Sequence, residues 1–544
     1  MTVPRSLSAD AFEASELSPP IVDFTRDVAP VLSKAGCNAG KCHGSFQGRG
    51  GFRLSLFGFD LPADYEAIVQ HGRGRRISAA APESSLLLAK PLGQVPHGGG
   101  RRFNHDDAAF HTLRDWIAQG AASSANPDLR VTGITVEPRS VIVRSTTQAS
   151  LTVTATWSDG VVQDVSHLAM YESRDESRAD VNGAGMIQAL RPGRSAVMVA
   201  FMGQASAVTV TIPYESEASE FTFVPHNYID ELVAAEWRAV GLLPAPLCDD
   251  ATFVRRVYLD LIGTLPTTDE VRAFITSTEP NKRAVLIDAL FERGEYVDHW
   301  AHKWADLLRV HRRYVGDKGL WSFWGWVQTV VRENWPIDRI TRELITARGS
   351  LFSNGATAYY FVDTKPAELA ETTSQLFLGV RLQCARCHHH PYEVWSQEDY
   401  YGLASFFTRL ELKDNQDNAR FGGAKLLRPV QQVNKERRLP MDVPPALFGQ
   451  SVDANAVEDV RLQLADWITD QENPFFTRSF VNRYWSHLMG RGLVEPVDDF
   501  RATNPPSHPE LLEALNRDFV EHGLDAKHLI RTICNSHVYQ LAAV

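Results

Sequence analysis

Two cysteine–cysteine–histidine clusters constrain this chain more than any other feature. Only six cysteines occur in 544 residues, and four of them fall in these clusters. Cys384, Cys387 and His388 spell C-x-x-C-H inside the segment LQCARCHHHP (382–391). Cys37, Cys42 and His43 give a looser C-x4-C-H. C-x-x-C-H is the attachment signature of a c-type haem, in which two thiols add to the vinyl groups and the next imidazole binds iron. One helical turn separates the sulfurs, so both vinyls are within reach. Zinc is the rival ligand at both clusters, and a disulfide across a tight loop is a further rival at the first. At the second, His388, His389 or His390 would have to complete a Cys2His2 set. Adjacent histidines rarely converge on one ion, and tetrahedral sites generally use two separated ligand pairs. His390 could instead bond a propionate or support the ligands from behind.

A second axial ligand has to come from elsewhere. No methionine lies between Met1 and Met170, so the first cluster has no local Met. His97, in the loop Val95-Pro-His-Gly-Gly-Gly100, is the leading candidate, with His71, His105 and His111 behind it. Two imidazoles on one iron would give a low-spin centre closed to substrate, of lower potential than a His/Met pair. For the second cluster the leading candidate is His508, followed by His487 and Met441. The competing reading of Ser507-His508-Pro509 is a helix start, with Ser507 as cap and Pro509 in the first turn. A five-coordinate iron here would be a catalytic centre rather than a relay.

Composition is that of an ordinary globular protein, 44% apolar and 22% charged, and the length suits three or four domains. The net charge of −11 excludes a general nucleic-acid role, since phosphate binding calls for a basic surface. No run of 18 apolar residues occurs, so no membrane span is expected. Met1–Pro30 has no apolar signal core, although haem c is attached outside the cytoplasm. The expectation is a periplasmic or secreted protein whose leader is not part of this chain.

The periodicity changes three times along the chain. Between 22 and 122, Phe24–Leu32 reads as an amphipathic helix leading into the first cluster. Pro82–Leu88 reads as a capped helix, and Phe110, Leu113, Trp116 and Ile117 mark a helical face. Between 130 and 213, alternating stretches such as Ser150–Trp157 and Ala207–Ile212 are separated by turn signals, as in a β-sandwich. From 222 onward the pattern is helical. Asp249 or Asp250 caps Phe253–Ile262, Gly263 ends it, and Thr267–Glu270 forms a capping box. The Trp- and Arg-rich stretch from Trp300 to Gly349 is also helical, and its aromatics are expected in the core. Arg256 and Asp260 are spaced as an i,i+4 ion pair. Asp498-Asp499 is a weak Ca²⁺ candidate against the commoner reading of a cap or ion pair. Cys248 and Cys534 are left as buried thiols or a pair.

Several strings carry a resemblance. Cys37–Gly44, Gly51–Leu56 and the Val95–Gly100 loop resemble the planctomycete cytochrome-c domain, found in large secreted multidomain bacterial proteins. Thr156-Trp-Ser-Asp-Gly-Val161 followed by Arg191–Ala196 resembles the bacterial Ig-like group 2 domain, a spacer or adhesion module. Arg255–Asp260, Gly263–Pro266 and Asp399–Leu403 resemble the first of two uncharacterised domains that accompany this cytochrome. Phe480–Trp485, Gly490–Val494, Asp498–Phe500 and Asn504–Leu512 resemble the second, which usually runs further than this chain does.

The fold class expected is multidomain and mainly α. A small all-α cytochrome c-like domain (22–122) precedes a β-sandwich Ig-like domain (130–213) and a large α-helical body. The body is expected to comprise a helical domain ending in the C-x-x-C-H motif (222–408), a linker (409–469) and an incomplete second helical domain at 470–544. The expected function is electron transfer by two covalent haems c, between a redox partner and a site in the body. Their ligands would be Cys37, Cys42, His43 and His97, and Cys384, Cys387, His388 and His508. One alternative is a haem-dependent oxidoreductase acting on a small-molecule substrate, by analogy with di-haem peroxidases or in polysaccharide breakdown. Another is a metal-stapled surface scaffold. No nucleophile elbow, P-loop or dinucleotide fingerprint is present.

Overall fold

The computed structural model describes residues 21–144, 147–214, 221–388, 395–414, 425–448 and 450–543. The chain is a multidomain protein of helices and sheets that divides into two compact units. One holds residues 1–132 with 157–161, the other residues 133–156 with 162–544.

In the first unit, Asp23 caps the chain entry by accepting from the Arg26 N–H (2.9 Å). The turn Phe24–Val28 continues into the helix Ala29–Lys34. Phe24 packs on Trp116 and Tyr65, with ring centroids 5.5 and 5.3 Å apart. Trp116 lies on the helix Ala108–Ala118, whose buried face is Phe110, Leu113, Trp116 and Ile117. The helix Leu61–Val69 is capped by Asp60. The stretch 82–88, read from sequence as one capped helix, is instead two short pieces, Pro82–Ser84 and Leu86–Ala89. Ser85 between them is extended, and no side chain caps either piece.

The second unit begins with short strands. Gly193–Phe201 and Gln204–Ile212 pair antiparallel along their whole length. Met202 and Gly203, both at positive φ (45° and 80°), make the two-residue turn that suits the twist of a hairpin. Ser140–Ile142 adds in parallel to one edge and Met170–Ser173 antiparallel to the other. Val197, Val199, Val208 and Val210 bury one face of this sheet.

The helices that follow share one core. Asn227 and Asp230 form a capping box on Tyr228–Val240, and Thr267 and Glu270 form one on Thr268–Thr276. Asp249 caps Asp250–Ile262. Gly263 ends that helix at φ +69°, where a Cβ would lie 2.4 Å from His299 Nδ1. The Trp/Arg-rich stretch folds as Gly294–Leu307, Arg312–Arg332 and Ile337–Ile345. Trp300 and Trp304 are buried, as expected, although Trp321 is 69% exposed. Trp300 stacks on Tyr484 (5.1 Å) and Trp304 meets Phe480 (5.9 Å), joining these helices to Phe476–Met489. Arg256 and Asp260 do not pair directly in the way their spacing suggested. Asp260 accepts from the Tyr539 hydroxyl (2.7 Å), and Arg256 donates to the Tyr539 carbonyl. Cys248 and Cys534 are buried free thiols.

The segment 409–469, read as a linker, is part of this body. Leu410–Asp414 pairs with Lys425–Pro429, which also pairs with Gly349–Ser350. The helix Arg461–Ile468 follows. The Arg461 side chain is fully buried, grips Asp459 through two nitrogens (2.7 and 3.0 Å) and donates to the carbonyls of Ile345 and Ala347. No helix among the described residues is long and apolar enough to cross a membrane.

Candidate functional site

The first cluster is built by the end of the helix Ala29–Lys34. Gly36, at φ +73°, turns the chain so that the Cys37 N–H reaches the Leu32 carbonyl (2.9 Å). The loop then closes on itself: Cys42 N–H donates to Ala39 O (2.9 Å) and His43 N–H to Cys37 O (3.0 Å). Gly44 follows because nothing larger fits. A Cβ there would lie 1.9 Å from the Asn38 carbonyl oxygen. Cys37, Cys42, His43 and His97 all line one cavity of about 620 Å³.

The two histidines are presented in the same way. His43 Nδ1 is 3.1 Å from the Phe52 carbonyl oxygen, and His97 Nδ1 is 3.0 Å from that of Gly100. A carbonyl can only accept, so each Nδ1 carries the proton and each Nε2 keeps its lone pair. The ring centroids are 6.2 Å apart and the ring planes differ by 9°. Burial pushes the His43 pKa down, which favours the neutral, ligating form.

The remaining lining is part apolar and part cationic. Leu32, Phe52, Leu54, Leu86 and Leu87 supply the first, and Lys41, Arg49, Arg75, Arg76, Lys90 and Arg102 the second. Arg76 is fixed by donating to the carbonyls of Ala67 (2.9 Å), His71 (2.6 Å) and Gly51 (3.0 Å), and it lies over the Phe52 ring. Arg102 reaches the Cys42 sulfur at 3.5 Å. Burial pushes the Cys37 thiol up to about 11, so it rests in the thiol form. These arginines were not singled out in the sequence. The only signal for Arg102 is its place just after the glycine run.

The second cluster has a different setting. Cys384 lies in the short turn Gln383–Arg386, and both Cys384 and Cys387 are exposed, unlike the wall-lining thiols of the first cluster. His388 is half-buried, while His389 and His390 lie outside the described residues. The Arg386 carbonyl accepts from Tyr401 (3.2 Å) and Gln397 (3.1 Å), which pins the turn to the helix Gln397–Ser405.

His508 has a different task from the one expected of it. It, rather than Ser507, caps the helix Pro509–Glu521 by accepting from the Leu511 N–H at Nδ1 (3.3 Å). Its Nε2 faces the Leu232 carbonyl at 3.1 Å, so both ring nitrogens are used by the backbone and neither is left for a metal. The Asp498-Asp499 calcium reading also gives way. Asp498 accepts from Gln375 and Arg381, and Asp499 pairs with Arg501 (3.0 Å). His487 packs on Trp300 (5.9 Å) beside Lys303, and Met441 is partly buried against the core.

Two family models match the body. Residues 228–412 match PSCyt2, described as a protein of unknown function (DUF1549), and residues 460–544 match PSD1, described as a protein of unknown function (DUF1553). They correspond to the two uncharacterised helical domains that the sequence resembles. A search among curated proteins finds no match.

Proposed function

We propose that residues 22–122 are a cytochrome c-like module that binds one covalent haem, and that the chain acts in electron transfer outside the cytoplasm. The observation that carries this reading is the convergence of Cys37, Cys42, His43 and His97 on one cavity, with both imidazoles offering Nε2. An imidazole nitrogen lies about 1.2 Å from its ring centre, and a metal–imidazole bond is about 2 Å. Two imidazoles trans on one ion would then have centroids about 6.4 Å apart. The 6.2 Å between His43 and His97 suits that arrangement.

In this reading Cys37 and Cys42 would hold the group covalently, and His43 and His97 would supply its nitrogen ligands. The carbonyls of Phe52 and Gly100 orient the two rings, and the Leu and Phe walls exclude water. The Lys and Arg side chains of the lining would neutralise the acidic groups of such a cofactor. A haem bound here would supply one-electron transfer. The strand-rich segment 130–213 is read as an Ig-like spacer. Cys384, Cys387 and His388 are proposed to carry a second haem, on the strength of the C-x-x-C-H spelling, with no distal ligand assigned. The electron partner is a redox protein or a small molecule reaching the body.

The test is a pyridine haemochrome spectrum of protein matured in a periplasm with c-type assembly machinery. Two covalent haems per chain are expected, falling to one in Cys384→Ala. His97→Ala is expected to keep its haem and to gain carbon monoxide binding. A chain with no covalent haem but with bound zinc would overturn the reading.

A further inference from the structure

The second family-matched segment ends in a helical hairpin that brings together ligand-type side chains used by neither cysteine cluster. Asp518 lies in the last turn of the helix Pro509–Glu521, and His522 is the residue that closes it. His528 sits in the first turn of the next helix, Ala526–Asn535. Gly523 and Leu524, at φ +68° and +59°, fold the connection tightly enough to lay the two rings together. Their centroids are 3.7 Å apart with the planes 11° from parallel. His522 Nδ1 is 3.2 Å from Asp518 Oδ1, and His528 Nε2 is 3.0 Å from Asp518 Oδ2. One ligand atom from each of the three residues lies within 4.8 Å of the others.

We propose that Asp518, His522 and His528 form a binding site for one divalent transition-metal ion of the zinc type. Donor atoms on a tetrahedral ion with bonds of about 2.0–2.1 Å stand about 3.3 Å apart. The 3.0 Å between Asp518 Oδ2 and His528 Nε2 is close to that edge, whereas His522 Nδ1 faces the Asp518 carbonyl oxygen (2.8 Å) and the rings must splay from their 3.7 Å stack for both to reach one ion. Two imidazoles and a carboxylate suit zinc and its first-row neighbours, whereas Mg²⁺ and Ca²⁺ call for all-oxygen shells.

The carboxylate is also supported from behind. Tyr228, on another helix, donates its hydroxyl to Asp518 Oδ2 (3.0 Å), the kind of contact that fixes a ligand's orientation. Three protein donors leave at least one coordination position for water or a ligand. Asp518 also lines a groove of about 700 Å³ with Glu231, Glu513, Arg517 and Glu521, whose acidic balance attracts cations. The ion would tie the end of one helix to the start of the next.

The experiment is titration of the full chain with Zn²⁺ by calorimetry and with Co²⁺ by visible absorption. The intact chain is expected to bind one more equivalent than His522→Ala or His528→Ala. The lost site should show a cobalt spectrum without thiolate charge transfer, which separates it from ions on Cys384 and Cys387. Affinity at this site should fall by more than the about 10- to 100-fold that loss of a supporting partner costs. Millimolar Mg²⁺ or Ca²⁺ should not displace the ion. Asp518→Asn, which keeps an oxygen facing Tyr228, is the milder variant and should weaken binding in the same direction. Unchanged stoichiometry and affinity in the double His522→Ala/His528→Ala variant, with circular dichroism unaltered, would overturn the proposal.

Discussion

The helical body should lose stability in mild acid, and His487 is the group that makes this measurable. It lies in the last turn of Phe476–Met489, packed edge-on against Trp300 and close to Lys303 and Arg483. Burial, followed by the charges of Lys303, Arg483 and His299, pushes its pKa from 6.5 down to about 4. A base whose folded pKa is depressed contributes stability that is complete above its unfolded pKa. That stability drains away as pH falls, because the unfolded chain takes up the proton first. The window therefore runs from about pH 6.5 to about pH 4, and the curve is flat below it for this group. At about 1.4 kcal/mol per pH unit the interval sets an upper bound of about 3 kcal/mol, and because the His487 residue is exposed, solvent screening cuts this to about 1 kcal/mol. His299 is pushed down to about 4 by burial and Lys303, so it acts in the same direction. It is less exposed than His487, so its contribution is at least as large. The assay is urea unfolding followed by tryptophan fluorescence at pH 7 and pH 4, for the wild-type chain and His487→Gln. The wild type should lose about 1 kcal/mol more than the variant over that interval. Parallel pH curves for the two proteins, or a His487 proton titrating near 6.5, would refute the reasoning.

Three further outcomes follow from single contacts. Gly44→Ala places a methyl group 1.9 Å from a backbone oxygen, so the cluster loop must open at a cost of about 3 kcal/mol or more. It should also abolish covalent haem attachment at the first cluster, read from the haemochrome stoichiometry. Arg461→Met leaves Asp459 buried without its partner and should cost about 3–5 kcal/mol by urea unfolding. Adding Asp459→Leu should restore most of that loss, and a double variant no better than the single one would count against a buried-charge explanation. Asp64 is pushed by burial up to about 6, so the stability it contributes is present below about pH 4 and is lost as pH rises through 6. Asp64→Asn should therefore be the more stable protein at pH 8, by about 2–3 kcal/mol, and the gap should close at pH 4.

The local rules were legible wherever the partner lies within a few residues. The Thr267/Glu270 box, the Asp249 cap and the Gly263 stop are all fixed by short-range geometry, and the structure has each of them. His97 could be named because a chain with no nearby Met leaves few ligand-type side chains in the first 122 residues. His508 was misread because its Nε2 partner, Leu232, is 276 residues away and leaves no trace in the local pattern. The same holds for 409–469. A strand such as Lys425–Pro429 looks like linker until Gly349–Ser350 is placed beside it. Arg256 and Asp260 have the spacing of an ion pair, but Tyr539 takes up both groups from the far end of the chain. The stacked His522 and His528 went unnoticed because six-residue spacing is not a ligand pattern on one helix. It becomes one only when the helix ends between them.

The contrast between the two cysteine clusters bears on which of them can work alone. At the first, the chain has already done the organising: both histidines have their proton placed by a backbone carbonyl, and Gly44 lets the loop close. An incoming group would lose little freedom in that site that the fold has not already removed. At the second, two exposed thiols flank a short turn whose known anchors, Tyr401 and Gln397, hold the Arg386 carbonyl rather than any ligand. Organisation there has to come from the attached group itself, so attachment should add order at residues 383–388. Hydrogen exchange of the chain with and without haem distinguishes the two cases. Protection at residues 37–43 should change little on maturation, while protection at 383–388 should rise. Equal gains at both clusters would mean that the first site is not preorganised, and the spacing of His43 and His97 would then lose its force as an argument for ligation.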